Sequence, residues 1–560
     1  YFQGDRMKPI ALVSLLLALA SLSCQTSPEG PYDIIIQNCK IVDGTGNPWY
    51  QADIGIYRDK VAAIGKLDPR LAKRVIDAGG KVVTPGFIDM LGQSEHTILV
   101  DNRAMSKISQ GITTEINGEG ESAAPLNDGI LKELKPFLDK YNLTVDWTDF
   151  NGYFARVEKN RTAINMASYV GAAQVREYVI GFEDREPTSA EMDQMRQLVR
   201  EAMKQGAFGV SSALEYTPAM YAKTPELIEL AKAAAEFGGI YVTHIRNEQE
   251  KIVEAVLEAA DIGRAAKIPV EIWHLKVAEK PNWGRMSEIV RILQQHRNQG
   301  LDMTADVYPY TAFGNSLSAP LPGWVQEGGT EKLLTRLKDQ MVRKRVRKEL
   351  EASGKARGMD FQLMMISSVS NPSLKQWEGK RLTEVAAAWK KDPIETMFDF
   401  IIADSARTSR VVFAMTEEDL RMAMGQPWVS FCSDATARAL DGPTSDGRPH
   451  PRAYGSFPRI LAQYVRESKI LSLEDAIRKM TSLPAQRVGI KDRGILKVGF
   501  YADIAMFDPE TITDKATFEN PHQYSEGMSL VLVNGKPVWE NGKFTGNLPG
   551  RVLRGPGYMR

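Results

Sequence analysis

The chain has 560 residues, 43% hydrophobic and 25% charged, which is the composition of a globular protein long enough for more than one domain. Lys plus Arg equals Asp plus Glu at 70 each, so the formal net charge is zero. Because there is no basic excess and no RNA-binding signature, the composition predicts a small-molecule partner and no nucleic-acid partner.

We expect the N-terminal segment to consist of a tag remnant and a signal sequence, which are not part of the folded protein. Residues 1–6 contain YFQG and resemble the remnant of a cleaved expression tag. Residues 7–24 read as a secretory signal, with an apolar run, IALVSLLLALASL, that is too short to span a bilayer comfortably. The small residues before Cys24 resemble a lipoprotein signal, in which this Cys would carry the lipid. We therefore expect an exported bacterial protein, periplasmic or anchored to the membrane only through Cys24, with ordinary cleavage as the alternative.

Short strand-like segments occur at both ends of the remaining chain. Residues 32–84 contain YDIIIQNCKIVDGTG and QADIGIYRDKVAAIG, and residues 495–560 contain GFYADIAMFDPE and MSLVLVNGKPVWENGKF. The NGK step in the last segment is typical of a hairpin turn. These patterns predict one small β-sandwich domain built from both termini.

Residues 85–494 alternate apolar strands with helices. Strands such as GGIYVTHI and IPVEIWHL are nearly continuous apolar runs, which is typical of a parallel sheet covered by helices. The number of strand–helix units approaches eight, so we predict an α/β fold, a (β/α)8 TIM-like barrel. A Gly/Pro-rich stretch and a basic helix at about 313–375 break the alternation and predict an insertion, which we expect to cover the active site.

Four polar residues are expected at strand ends. His244 and His274, two of only six His, end apolar strands about one unit apart, Asp434 follows WVSFCS, and Glu119 follows ITTEING. In such a barrel these ends converge on the face where active sites lie. Imidazole and carboxylate suit a divalent ion, zinc first. The pattern predicts a metal site with an open position.

The sequence resembles the N-acyl-D-amino-acid deacylase (D-aminoacylase) branch of the amidohydrolase superfamily. The matching segments span nearly the whole mature chain. They are PGFID, QGITTEINGEG, GVSSALEY, YVTHIRNE, IWHLKVA, ADVYPYTA, FCSDA, PHPRAYGSFPRIL and ENPHQY.

The resemblance implies a ligand set for one tightly held metal ion. His244 and His274 match its two His ligands, whereas its third ligand is a Cys in a loop where this chain has GEGE. We place Glu119 in that role. Glu121 and Glu115 are the alternatives, because a shift of one residue is easy in this loop.

The resemblance also implies the catalytic and substrate-binding residues. Asp434 matches the general base. Lys276, Tyr308 or Tyr310, and Arg452 match residues that bind the substrate carboxylate or polarise its carbonyl, and an Arg fork suits a carboxylate. A carbamylated Lys276 that bridges metal ions is an alternative reading of that residue.

The residues that follow PGFID differ from the family pattern. Its His-x-His pair binds a second, weaker metal, and this chain has Leu91 and Gln93 at those positions. We therefore expect one zinc ion per chain. We expect the vacated space to admit substrate, which makes Gln93 and the nearby Glu95 candidate substrate contacts.

Together these residues predict metal-dependent hydrolysis of an amide bond in an N-acyl-D-amino acid or a D-residue-containing peptide. The reaction would use a metal-activated water on a single divalent ion, and the partner would be a small amide that bears a carboxylate. One alternative is a catalytically inactive binding lipoprotein on an amidohydrolase scaffold. Another is a hydrolase of a different amide, a cyclic imide or an L-dipeptide. The sequence does not determine the oligomeric state.

Overall fold

The structure is a computed structural model that describes residues 32–357 and 359–559. The tag remnant, the signal segment and Cys24 lie outside the described residues, so export and lipidation stay predictions. Within the described ranges, no helix is both long and apolar enough to cross a membrane.

Strands occur in three regions of the chain: both ends, the alternating middle, and the predicted insertion. In chain order the strands are β1 Tyr32–Ile41, β2 Tyr50–Tyr57, β3 Lys60–Gly65, β4 Ala72–Asp77, β5 Val82–Pro85, β6 Phe87–Asp89, β7 Ile112–Asn117, β8 Asn165–Ser168, β9 Val170–Gly171, β10 Gly209–Ala213, β11 Ile240–His244, β12 Val270–Ile272, β13 Met303–Val307, β14 Phe313–Ser316, β15 Met364–Ser368, β16 Ser409–Val412, β17 Val429–Phe431, β18 Ile504–Phe507, β19 Met528–Val533, β20 Lys536–Glu540 and β21 Lys543–Phe544.

Helices fill most of the connections between these strands. They are α1 Thr97–Val100, α2 Met105–Ile108, α3 Asp128–Tyr141, α4 Phe150–Asn160, α5 Ala172–Val179, α6 Ser189–Lys204, α7 Thr224–Ala235, α8 Ile252–Ala266, α9 Met286–Asn298, α10 Gly323–Gln326, α11 Thr330–Leu337, α12 Gln340–Arg357, α13 Leu382–Trp389, α14 Pro393–Ala403, α15 Glu417–Met424, α16 Arg452–Arg459, α17 Leu473–Met480 and α18 Ser482–Val488.

The middle of the chain forms the predicted barrel. Strands β6, β7 and β8 pair in parallel, and β9 continues the line of β8 after Tyr169 and joins the parallel series β9, β10, β11, β12, β13 and β17. Counting β8 and β9 as one interrupted strand gives eight strands in barrel order. The interior is filled by buried side chains such as Trp273, Tyr169 and Val242, as in other barrels of this type. The predicted fold class is confirmed.

The barrel closes where β17 returns to β6, and a buried Lys lies at this seam. Lys107, which is 0% exposed, donates to Asp89 Oδ2 at 2.8 Å, to Ser433 Oγ at 2.9 Å and to the Ala435 carbonyl at 2.7 Å. Its Nζ also lies 3.1 Å from Glu115 Oε2. Burial alone would lower the pKa of Lys107, but the two carboxylates raise it above its ordinary value, so the ammonium stays charged.

The two ends of the described chain share one sheet. Strand β5 lies between β1 and β18, so the nine strands β1–β5 and β18–β21 form a single hydrogen-bonded sheet. A hydrophobic cluster of its own, which includes Ile36, Ile56, Ile504 and Leu532, packs within this unit. Strand β5 leads directly into β6, and this connection joins the sheet to the barrel.

The insertion is longer than the sequence suggested. It was expected at 313–375, but β14 pairs with β16, so the excursion returns only at Val412. The strands β14, β16 and β15 form an antiparallel sheet, and a separate hydrophobic cluster, including Val346, Ile366 and Phe398, packs beneath the helices of this unit. Sequence periodicity missed the end because α13 and α14 resemble barrel helices.

Replacing Lys107 with Met tests whether the seam depends on this cation. The change leaves Asp89 and Glu115 buried without their counter-ion, so we expect a loss of about 3–5 kcal/mol in the free energy of unfolding. Urea unfolding followed by tryptophan fluorescence measures the change. Lys132→Met is the control, since Lys132 and its partner Glu331 are 73% and 81% exposed and such pairs contribute little. Equal stability of the two variants would contradict this role.

Candidate active site and metal centre

The polar residues predicted for the site lie together at the C-terminal mouth of the barrel. His244 is the last residue of β11, and Glu119 and His274 follow β7 and β12 by two residues. Asp434 follows β17 by three residues. The convergence of parallel strand ends therefore places all four on one face.

Glu119 lies between the two His. Its Oε1 is 3.1 Å from His244 Nδ1 and 3.1 Å from His274 Nε2. Burial alone would raise the pKa of Glu119, but the hydrogen bonds with both His hold it well below its ordinary value. A carboxylate oxygen and two imidazole nitrogens at one point form a donor set that suits zinc, and the open side faces the cavity.

Two glycines let Glu119 turn inward. Gly118 has a φ of 99° and Gly120 a φ of 71°, a region that other residues rarely adopt. A Cβ on Gly118 would lie 2.6 Å from the Tyr169 carbonyl oxygen, and one on Gly120 would lie 2.6 Å from Ala213 Cβ. The GEG sequence therefore lets the Glu119 side chain point towards His244 and His274.

The alternative ligands Glu115 and Glu121 do not reach the two His. Glu115 is held inside the barrel by Lys107 and by Ser94 Oγ at 3.1 Å, and Glu121 lies exposed on the loop surface. The structure brings Glu119 alone of the three to the His pair.

Each candidate His ligand has a second carboxylate on its other ring nitrogen. Glu215 Oε2 is 3.2 Å from His244 Nε2, and Glu248 Oε1 is 3.2 Å from His274 Nδ1. Such outer carboxylates fix the ring orientation and raise the basicity of the ligand. Sequence reasoning missed both, although Glu215 follows β10 by two residues, the same strand-end signal that identified the others.

Glu215, His244 and Glu248 also form a possible ligand set by distance. Glu248 Oε1, however, accepts a hydrogen bond from Lys276 Nζ at 2.5 Å, so an ammonium already neutralises it. Among the described residues no Lys or Arg forms an ion pair with Glu119, so the Glu119 set suits a metal ion better.

Gln93 links two carboxylates across the mouth. Its side-chain amide donates to Asp434 Oδ1 at 3.0 Å and also to Glu119 Oε2. The other oxygen of Asp434 lies 2.6 Å from Arg452 Nη1. Burial raises the pKa of Asp434 against the lowering effect of Arg452.

Lys276 lies behind His274 rather than between metal ligands. Its Nζ is 2.7 Å from His274 Nδ1, and Glu248 raises its pKa although burial opposes this. A protonated amine does not react with carbon dioxide, so the contacts argue against the carbamylated Lys276.

A cavity of about 370 Å³ joins these groups to the insertion. Its lining includes Gln93, Lys276, Arg452 and, from the insertion, Asn315 and Arg410. The insertion therefore forms one wall of the cavity, the position expected for a cover over the active site.

Four positions that the sequence analysis placed in or beside the site, Leu91, Glu95, Tyr308 and Tyr310, do not line the cavity. Tyr310 hydrogen-bonds Asp514 at 3.4 Å, and Glu95 has a buried, unpartnered Oε2 and a pKa raised by burial to about 7. Leu91 is 0% exposed and packs inside the barrel, so the expected vacated space is filled. Tyr308 is buried beneath Arg452, whose guanidinium lies 4.7 Å from its ring centre.

Three residues of the mouth have strained backbones. His274, Asp434 and Gln93 have φ values of 35°, 49° and 53°. Non-glycine residues in this region cost of the order of 1 kcal/mol each and occur often at functional sites. The surrounding contacts therefore hold these three side chains against local preference.

Comparison with known proteins identifies the family. The profile of the amidohydrolase family matches residues 74–539. D-aminoacylase from Alcaligenes xylosoxydans xylosoxydans is 34% identical over 530 residues, which cover 94% of this chain and 98% of the relative. The chain belongs to the D-aminoacylase branch of the amidohydrolase family.

Solved structures of this branch share the fold over the whole length. N-acyl-D-glutamate deacylase from Bordetella bronchiseptica, solved with zinc and a phosphonate inhibitor, has a TM-score of 0.79 and 32% identity, covering 93% of this chain and 99% of that one. A D-aminoacylase with a binuclear metal centre has a TM-score of 0.78 and 33% identity, covering 94% of this chain and 100% of that one. The amidohydrolase prediction is confirmed: the protein is a hydrolase of amide C–N bonds.

Substituting Glu119 tests the assigned ligand. Glu119→Gln removes the charged donor between the two His, so we expect zinc affinity to fall by at least the 10- to 100-fold that loss of an outer ligand partner costs. Zinc titration against a competing chelator measures it. Glu121→Gln is the matched control on the same loop and should bind zinc as the unsubstituted protein does. A loss of affinity only in the Glu121 variant would reassign the ligand.

Proposed function

We propose that this protein is a zinc-dependent deacylase of N-acyl-D-amino acids that works with one metal ion. The observation that carries the proposal is the Glu119 carboxylate between His244 and His274, with Asp434 and Arg452 in the same cavity. Its full-length relatives include enzymes named D-aminoacylase and N-acyl-D-glutamate deacylase, which supports this substrate class.

Glu119, His244 and His274 would hold the zinc ion, and Glu215 and Glu248 would orient the two imidazoles. A zinc ion bound there supplies Lewis acidity to the amide carbonyl and acidifies water. The buried setting strengthens both effects, because the local dielectric is low.

Asp434 moves the proton. It accepts one proton from the attacking water, whose oxygen joins the acyl carbon, and it passes that proton to the nitrogen as the C–N bond breaks. The products are a carboxylic acid and a free amino acid. Gln93 and Arg452 contact opposite oxygens of Asp434 and keep the carboxylate aimed at the mouth.

Arg452 provides the positive charge that binds the substrate carboxylate, since the ammonium of Lys276 is paired with Glu248. The Nε and Nη1 atoms of Arg452 are buried and lack a hydrogen-bond partner of good geometry, although Nη1 is close to Asp434. A substrate carboxylate supplies the missing acceptors in the bidentate geometry that a guanidinium prefers.

The alternative of an inactive binding protein finds no support at the mouth. Loss of function would leave the catalytic groups free to drift or to change, yet the base, the ligands and the outer carboxylates are all present. Asp434, Glu248 and both His are buried, and Glu119 and Glu215 are partly buried. Measuring hydrolysis of matched D and L substrates decides among N-acyl-D-amino acids, other amides, cyclic imides and L-dipeptides.

Zinc-loaded protein should hydrolyse N-acetyl-D-amino acids and leave the L-enantiomers almost intact. Asp434→Asn should lower kcat by about 10²–10⁴-fold, the usual contribution of a general base, while zinc content stays unchanged. Amine release and metal analysis measure the two quantities. Full activity of Asp434→Asn would remove Asp434 from the role of base, and inactivity on every acyl-D-amino acid would refute the proposed function.

The number of metal ions gives an independent test. The binuclear D-aminoacylase is described as activated by one metal and attenuated by the second. Because Leu91 and Gln93 replace the second pair of ligands, we expect one zinc per chain and no inhibition by excess zinc. The double variant Leu91→His, Gln93→His should bind a second ion. Two ions in the unsubstituted protein would contradict the one-metal proposal.

A further inference from the structure

Arg410 enters the cavity from the insertion. It lies on β16, opposite Asn315 of β14, and is 5% exposed. Its Nε donates to Asn315 Oδ1 at 3.0 Å, and its Nη1 lies 3.2 Å from Met364 Sδ. Both partners are neutral, so the charge of this guanidinium is not balanced by the contacts it makes.

Arg410 differs in this from the other buried arginines. Five arginines are buried among the described residues, and four of them contact a carboxylate. These pairs are Arg176 with Glu226, Arg343 with Glu395 and Asp399, Arg452 with Asp434, and Arg493 with Asp503. In the described ranges Arg410 forms no such ion pair. Burying a charge without a counter-ion is costly, and an anionic ligand that pairs with Arg410 would offset this cost.

The electrostatics agree with this contact pattern. Burial lowers the pKa of Arg410 to about 10, and the nearby carboxylates of Glu215 and Glu279 oppose this effect. The guanidinium stays charged at neutral pH and remains available to an anion.

Arg410 and Arg452 lie on the same wall. Gly314 separates them: a Cβ there would lie 3.4 Å from the Arg410 carbonyl oxygen and 3.9 Å from Arg452 Nη2. The adjoining lining from the insertion includes Ser316, Ser367 and Ser409. This part of the cavity therefore offers two cations and several hydroxyl groups beside the apolar side chains of Phe313 and Val411.

We propose that Arg410 binds a second carboxylate of the substrate, the side-chain carboxylate of an acidic N-acyl-D-amino acid, while Arg452 binds the α-carboxylate. This inference rests on the proposed function and narrows its substrate class. A guanidinium binds a carboxylate through two parallel hydrogen bonds. In Arg410, Nη2 and the second proton of Nη1 are left for this contact, since Nε donates to Asn315 and Nη1 lies against Met364.

The test compares N-acetyl-D-glutamate with N-acetyl-D-glutamine, which have the same shape and differ in the side-chain charge. We expect zinc-loaded protein to favour the glutamate by about 30-fold or more in kcat/KM, as charge-assisted hydrogen bonds give. Arg410→Gln should remove this preference by lowering glutamate turnover, with glutamine turnover within about 3-fold. Arg410→Lys should restore part of the preference, since it keeps the charge and loses the fork.

Arg438→Gln is the matched control. Arg438 also lines the cavity, but its Nη1 donates to the Thr444 and Asp446 carbonyls. It should change both substrates alike. Equal turnover of the two substrates by unsubstituted protein, or equal loss of both in Arg410→Gln, would overturn the assignment of Arg410 and leave the deacylase proposal standing.

Calorimetry separates the two proposals if no acyl-D-amino acid is hydrolysed. The deacylase proposal then fails, and binding of N-acetyl-D-glutamate and N-acetyl-D-glutamine to the zinc-loaded protein tests Arg410 alone. Tighter binding of the glutamate that disappears in Arg410→Gln supports the second-carboxylate site. Equal binding of both compounds overturns it.

Discussion

The closure of the barrel on a buried ammonium is the constraint on which the active site depends. The described ladder between β17 and β6 is short, with Asp434 N donating to the Leu91 carbonyl at 3.1 Å. Lys107 supplies the rest of the connection, since it contacts Asp89 at the end of β6 and both Ser433 and Ala435 after β17. Asp434 and Gln93 become neighbours only because this seam is fixed.

An amide occupies the place between the two carboxylates of the mouth, and the one-metal proposal depends on this arrangement. The two protons of the Gln93 amide are donated to Glu119 and Asp434, which would otherwise repel each other. A metal ion could balance two carboxylates in the same way with more charge. Gln93 therefore replaces an electrostatic function of a cation with two hydrogen bonds, and Asp434 keeps its orientation without a second ion.

Local sequence patterns predicted the fold and the residues at the centre of the site. They did not predict the residues around that centre. His244, His274 and Asp434 could be predicted because each lies at or just after the end of an apolar strand. Glu119 could be predicted because it follows the ITTEING strand and is the nearest possible ligand to the position of the family's Cys. The sequence analysis expected open space beside Leu91, but this side chain packs in the barrel core. A sequence motif does not show in which direction a side chain points. The sequence could not show that Arg410 lacks a carboxylate partner either, because this depends on which carboxylates the folded insertion brings near it.

The insertion between β13 and α15 has its own sheet and its own hydrophobic cluster. Its stability therefore does not depend on the side chains that it presents to the cavity. Changes at Asn315, Ser409 or Arg410 can accumulate without disturbing the ligands and the base, which belong to the barrel. The molecule thus separates an unchanging reaction centre from an exchangeable wall, and new substrate preferences can evolve on that wall alone.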